Sequence, residues 1–241
     1  IIECPLLTTE ELNKLFPLRM QGWGLKKDLR PVWQTLFEKQ GVVYCIISRR
    51  GCDRICDFCN SGEMWKKKIR LRSMESIEKE LIDISSLSDA SGICFVDLDF
   101  FVPISQTEAI IDSIIKLKML NKIRSNLKFA GLGSFPPLEK SEEFFSKMFS
   151  SGFVEISFGV EVVEEKQRLL LGKGKNNWMD IVRLAANAGI GTRAFLMLGH
   201  PNQDEAYYQK FLQVVGSKEF VEICDTIRLS LCTPLPGTRL W

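Results

Sequence analysis

Three cysteines stand within eight residues of one another in the segment Ser48-Arg49-Arg50-Gly51-Cys52-Asp53-Arg54-Ile55-Cys56-Asp57-Phe58-Cys59-Asn60. Cys52, Cys56 and Cys59 are separated by three and then two residues. A loop this short can turn all three sulfurs inward, and thiolates in that number suit one compact soft-metal site. A structural zinc site ordinarily takes four protein ligands. Neither a second Cys-x-x-Cys pair nor a nearby histidine completes one, since the only histidine is His200. A cubane iron–sulfur cluster held by three cysteines keeps one iron without a protein ligand, and an open coordination position is what a catalytic metal needs. A catalytic cluster, an electron-transfer cluster and a zinc site are the chemistries to separate.

These residues need elements to present them. From Val42 onward, short β-branched runs alternate with amphipathic stretches. Strands are predicted over 42–48, 92–101, 128–134, 154–161, 193–199 and 226–233, and helices over 73–87, 107–120, 138–149, 178–188 and 205–215. Met74, Ile77, Leu81, Ile84 and Leu87 recur at helical spacing, and Gly152 and Gly189 supply stop signals. Strands alternating with helices pair in parallel through right-handed crossovers. The expected fold class is therefore α/β, a partial (βα)6 TIM-like barrel with parallel strands and a short N-terminal helical lead-in. Thr8-Thr9-Glu10-Glu11 has the capping spacing that opens this lead-in helix, and Pro17 closes it. Residues 1–40 are read as a lead-in or linker and 41–241 as one core domain. In such folds chemistry collects at the C-terminal ends of the strands, and the cysteine loop directly follows the first.

Composition excludes several classes. An apolar fraction of 45% over 241 residues supports one substantial core. The formal net charge is +2, which does not mark a nucleic-acid binder. The basic run Lys66-Lys67-Lys68 with Arg70 and Arg72 reads as a solvated face, an attraction for an anionic substrate or electron donor, or a small RNA-binding patch. Uninterrupted apolar stretches of the length a membrane span needs, about 18 residues, are missing, and Ile1-Ile2-Glu3-Cys4-Pro5 does not read as a signal peptide. A cytoplasmic location is expected. The eight cysteines do not form a disulfide framework in a chain this long and core-rich, and Cys4, Cys45, Cys94, Cys224 and Cys232 read as small buried hydrophobes.

The Cys-x-x-x-Cys-x-x-Cys spacing with Phe58 before the last cysteine resembles the signature of the radical S-adenosylmethionine (SAM) superfamily, and the resemblance extends over about residues 40 to 241. It implies that Cys52, Cys56 and Cys59 ligate a 4Fe-4S cluster, that the open iron chelates SAM, and that Phe58 lies against the adenine. It further implies that the cluster reductively cleaves SAM to methionine and a 5′-deoxyadenosyl radical, which takes hydrogen from a small-molecule or peptide substrate. Flavodoxin or ferredoxin would donate the electron. The similarity is closest to the branch that often carries a cobalamin-binding domain upstream, where a Ser-Arg-Gly-Cys lead is typical; Ser48-Arg49-Arg50-Gly51-Cys52 has one extra arginine. No Asp-x-His-x-x-Gly segment stands upstream, so the alternative that the resemblance implies, the catalytic core of a cobalamin-dependent radical SAM methyltransferase, would need cobalamin from a domain absent from this chain. The competing class is a non-catalytic iron–sulfur or zinc protein on the same scaffold.

The resemblance also assigns the strand ends. Phe95-Val96-Asp97-Leu98-Asp99-Phe100 departs from the family's adjacent acidic pair, and Asp97 either receives the SAM ammonium or caps its loop. Glu161 ends a strand similar to the one whose terminal glutamate faces SAM. Gly199, in Gly199-His200-Pro201, matches a Gly-x-Pro exit where the backbone approaches the adenine, and a glycine permits that approach. His200 is read as an idle loop residue or a proton-transfer group. Arg193 is expected to meet the SAM carboxylate if its side chain points inward. Cys232-Thr233-Pro234-Leu235-Pro236-Gly237-Thr238 is similar to the family's sixth-strand exit, a tight turn across the barrel mouth.

Overall fold

The computed structural model describes residue 10 and residues 41–136, 141–173 and 177–241. The lead-in helix expected at Thr8 to Pro17 lies outside the described residues except for Glu10, which is helical. The strands are β1 (Val42–Ile46), β2 (Arg49–Arg50), β3 (Arg70–Leu71), β4 (Ala90–Phe95), β5 (Lys128–Gly133), β6 (Phe153–Glu161), β7 (Gly191–Leu198) and β8 (Thr226–Leu231). The helices are α1 (Ser61–Met64), α2 (Met74–Ser85), α3 (Ile104–Met119), α4 (Ser141–Ser151), α5 (Glu165–Leu170), α6 (Trp178–Asn187), α7 (Glu205–Val215) and α8 (Lys218–Ile223). Six strands form one parallel sheet in the order β1-β4-β5-β6-β7-β8, curled into a half-barrel, while β2 and β3 form a separate antiparallel ribbon. This is the partial barrel expected from the alternation of periods.

Helices cover the convex face of the sheet. Ile77, Leu81 and Ile84 of α2, Ile110 and Ile114 of α3, Phe145 and Met148 of α4, and Ile181 and Ala185 of α6 are buried against Ile93, Phe95, Ile156, Phe158, Ala194 and Leu196 of the strands. Phe95, Phe100, Phe129 and Phe153 stack at centroid separations of 4.8 to 6.4 Å, each such contact contributing about 0.5–1.5 kcal/mol beyond its area. Side-chain caps fix three helix starts: Ser73 Oγ accepts from Ser76 N–H, Asp204 Oδ1 from Tyr207 N–H, and Ser217 Oγ from Phe220 N–H. The second strand is shorter than expected, ending at Phe95 rather than Phe101. Beyond it the Asp97 and Asp99 carboxylates capture backbone N–H groups that a strand would have paired, and the chain folds back so that Phe100 N–H donates to Leu132 O.

On α3, Lys118 Nζ donates to Leu127 O at 3.0 Å and lies 5.3 Å from the Phe129 ring centroid. Burial, with a smaller push from Lys128, brings its pKa down to about 8. Between that value and the roughly 10.4 of an unfolded lysine, the unfolded chain holds a proton the folded one has released, so this group makes stability rise with pH across that window. Below it both states are charged and the contribution is flat. Lys118→Met is expected to remove this rise, read as a loss of the wild type's gain in urea midpoint between pH 7.5 and 10.

Candidate active site

The loop that leaves β1 is pinned before it reaches the first cysteine. Asp97 Oδ1 accepts from Ser48 N–H at 2.7 Å and Arg49 N–H at 3.0 Å, and its Oδ2 accepts from Ser48 Oγ at 2.6 Å. Arg49, 1% exposed, adds an ion pair to Asp97 at 3.6 Å and donates to Pro103 O and Thr107 Oγ1. Gly51 follows at φ +98°, where a Cβ would sit 1.9 Å from Lys68 O. Only glycine fits where the β2–β3 ribbon closes over the loop.

Cys52, Cys56 and Cys59 are half-buried free thiols, and Cys59 N–H donates to Cys56 O in a tight turn. Burial pushes the Cys52 and Cys56 thiols up, while Lys173 and Arg54 pull Cys56 down and the neighbouring thiols Cys59 and Cys52 push it up. Arg54, between the first two cysteines, donates Nε to Asp99 Oδ2 at 3.0 Å and Nη2 to Ser134 Oγ, tying the loop to the β4 and β5 exits. Among the described residues no three His, Cys, Asp or Glu side chains converge on the point a single metal ion would occupy. The corners of a cubane stand farther apart than donors around one ion, and three soft thiols on one turn, with cationic Lys173 and Arg54 nearby, fit a 4Fe-4S cluster.

The facing wall comes from β6 and the segment after α5. Glu161 ends β6 at φ +63°, a conformation uncommon outside glycine, directly after a bulge in β6 between Gly159 and Glu161. Lys173 Nζ lies 3.0 Å from Glu161 Oε1 and 5.9 Å from the Phe58 ring centroid, so one cation joins the glutamate, the aromatic of the cysteine motif and the Cys56 thiol. Gly159 makes room, since a Cβ there would stand 2.9 Å from Glu161 Oε1. Arg168 donates Nη1 to Val160 O at 2.6 Å and lies over the Phe135 ring, and burial brings its pKa down to about 10 against the pull of Glu161.

The third side is the β7 exit. Gly199 takes φ +84°, and His200 is 3% exposed with Nε2 2.9 Å from Asp57 Oδ2. Its Nδ1 accepts from Asn202 N–H at 3.4 Å, which places the proton of the neutral ring on Nε2, facing Asp57. Asp57 N–H donates to Leu171 O and Asp57 O accepts from Leu240 N–H, so the residue between Cys56 and Phe58 is held from three sides. His200 is thus neither an idle loop residue nor free in the cleft. His200→Ala leaves the Asp57 carboxylate without this donor and is expected to cost about 2 kcal/mol, measured by denaturant unfolding.

The structure brings together Cys52, Cys56, Cys59, Phe58 and Glu161, with Gly199 joined through the His200–Asp57 contact. It does not bring Asp97 or Arg193 to this cleft. Both Asp97 oxygens are taken by Ser48 and Arg49 at 1% exposure, so the loop-capping role is the one observed. Arg193 donates Nη2 to Glu155 and Nε to Thr226 Oγ1 in the N-terminal half of β7, well short of the strand end. Sequence reasoning missed Lys173, Arg54, Asp57 and His200 as partners, since no spacing rule connects them.

Residues 46–215 match the Radical SAM superfamily, and the chain belongs to it. It is therefore an enzyme of the class that uses a 4Fe-4S cluster and SAM. A protein of Pyrococcus horikoshii named as an uncharacterized methyltransferase is 24% identical over 217 residues, 89% of this chain and 44% of that protein. Hopanoid C-3 methylase of Methylococcus capsulatus is 26% identical over 196 residues, 80% of this chain and 35% of that protein. The chain spans less than half the length of either relative. Among solved structures, the radical SAM methyltransferase TsrM from Kitasatospora setae, with cobalamin and a [4Fe-4S] cluster bound, superposes with a TM-score of 0.73 at 16% identity, covering 83% of this chain and 38% of that one. The cobalamin-dependent SAM radical enzyme OxsB gives 0.61 at 19% identity over 81% of this chain and 34% of that one. Both likenesses show the fold. No described helix is long and apolar enough to cross a membrane.

Proposed function

We propose that residues 41–241 are a catalytic core that cleaves SAM reductively and directs the resulting radical at a small-molecule or peptide substrate, with residues 1–40 a lead-in. The observation that carries this reading is Lys173 joining Phe58, Glu161 and Cys56 across one cleft at the C-terminal edge of the sheet. Cys52, Cys56 and Cys59 hold the cluster, which supplies the electron that breaks the SAM sulfonium to methionine and a 5′-deoxyadenosyl radical. Phe58 offers its ring to the adenine, Glu161 its carboxylate to the polar groups of SAM, and Gly199 a backbone without a side chain. The Arg54–Asp99 and His200–Asp57 contacts keep the loop in one position, so that little reorganisation accompanies the reaction. A flavodoxin or ferredoxin in the cytoplasm would approach the side carrying Lys66, Lys67 and Lys68.

A second reading, transfer of a methyl group, is favoured by the methyltransferase and methylase names of the two relatives, and cobalamin would then be held by a domain outside this chain. The test of the first is anaerobic. The chain is reconstituted with iron and sulfide, SAM and dithionite are added, and 5′-deoxyadenosine and methionine are measured; equal amounts of both are expected. A well-formed cluster that yields neither would replace this reading with a non-catalytic iron–sulfur protein.

A further inference from the structure

The concave face of the sheet, which the helices do not cover, is polar along β6, β7 and β8. Glu155 and Ser157 on β6, Arg193 and Phe195 on β7, and Arg228 and Ser230 on β8 share it, as the pairings Ser157 with Arg193 and Phe195 with Arg228 require. Ile227 and Leu229 alternate with these residues and pair with Ala194 and Leu196, which belong to the helix-covered core. The polar residues therefore line the hollow below the Glu161–Lys173 pair.

Among the described residues, most charges along this hollow have a partner. Glu155 and Arg193 pair at 3.1 Å with side chains 4% and 9% exposed, and Glu161 pairs with Lys173. Asp225 precedes β8 and accepts from Thr192 N–H, three residues and roughly 10 Å along the strand from Arg228. Arg228 is exposed, and among the described residues its side chain makes no ion pair or hydrogen bond; its guanidinium carbon lies 5.8 Å from the Phe195 ring centroid. A guanidinium lying over a ring is positioned by that contact while its edge N–H groups stay free, the geometry that takes an oxyanion through two parallel hydrogen bonds.

We propose that Arg228, positioned by Phe195, is the substrate-recognition residue of this cleft, and that the substrate carries a terminal oxyanion, carboxylate or phosphate, next to a flat apolar part that packs beside Phe195. This rests on reading the cleft as the place where substrate meets SAM. The apolar part packs on the half-buried Phe195 ring, and the oxyanion gives the Arg228 guanidinium the anionic partner it lacks among the described residues.

The test measures equilibrium binding to the cluster-reconstituted full chain by ligand-observed NMR, with benzoate, phenyl phosphate and neutral benzyl alcohol as probes. The wild type is expected to bind at least one anion about tenfold more tightly than the alcohol, and the tighter of the two anions identifies the oxyanion. Arg228→Gln is expected to abolish that preference with alcohol binding unchanged, and Arg228→Lys, which keeps the charge without the planar fork, to retain part of it. Because Arg228 is exposed, unfolding midpoints of the variants should match the wild type. Anions that bind no better than benzyl alcohol, or as tightly to Arg228→Gln as to wild type, would overturn the proposal. Formation of 5′-deoxyadenosine is scored separately in the wild type, so failure of the SAM reading and failure of the oxyanion site are told apart.

Discussion

Cys56→Ala is expected to bring 5′-deoxyadenosine down to the level of a protein-free blank, with iron and sulfide content falling in parallel. The expectation follows from the ligand count. The motif supplies three thiols, Cys52, Cys56 and Cys59, which would leave one iron corner of a bound cluster open for SAM, and alanine at the middle position removes one third of that ligand set. The Cys56 thiol also feels Lys173, Arg54 and both other cysteines. The fold should survive its loss. The backbone there is fixed by the Cys59 N–H to Cys56 O contact and by Asp57, which is held at Leu171, Leu240 and His200 without help from the sulfur. The unfolding midpoint of the variant prepared without cluster should therefore lie within about 2 °C of the equally treated wild type. A variant that keeps both iron and product would remove Cys56 from the ligand set, and with it the assignment of the cleft.

Much of this was legible because adjacency in sequence became adjacency in space. The three cysteines share one turn, and the six principal strands announced themselves by β-branched runs separated by helical periodicity such as Ile77, Leu81 and Ile84. The overrun of the second strand has a local cause. Phe95, Phe100 and Phe101 continue an apolar pattern and are all buried, yet Asp97 and Asp99 divert the backbone, a competition that pattern reading does not weigh. Helix α5 went unread because its six residues are too few to display a period and Leu169 and Leu170 face outward. The contacts that complete the cleft lie 12, 45 and 143 residues apart for Lys173–Glu161, Arg54–Asp99 and His200–Asp57, and are set by where loops converge at one edge of the sheet. Arg193 illustrates the remaining difficulty. Strand parity says that its side chain faces the hollow, as it does, but not at what depth, and two turns of the pleat separate it from the strand end where SAM was expected.

Asp97→Ala is expected to be the most destabilising of these substitutions, by about 3–5 kcal/mol and on the order of 10 °C in unfolding midpoint. Asp97 and Arg49 are each 1% exposed. Burial pushes the Asp97 carboxyl up in spite of Arg49, Ser48 and two backbone N–H groups, so desolvation outweighs what its partners return. The pair therefore adds little net stability relative to a well-packed apolar core, and its value is positional. Removing one member is a different matter: alanine leaves the Ser48 and Arg49 N–H groups buried without their acceptor and the Arg49 guanidinium buried without its counter-charge. Asp97→Asn separates charge from geometry. Its carbonyl oxygen can take the place of Oδ1, which accepts both N–H groups, and its amide can donate to Ser48 Oγ, leaving the Ser48 O–H without its acceptor and the charge of Arg49 unmatched. Asparagine should cost less than half of what alanine does in the same urea titration. Equal losses for the two variants would mean that the ion pair, rather than the capping of Ser48 and Arg49, fixes the start of the cysteine loop.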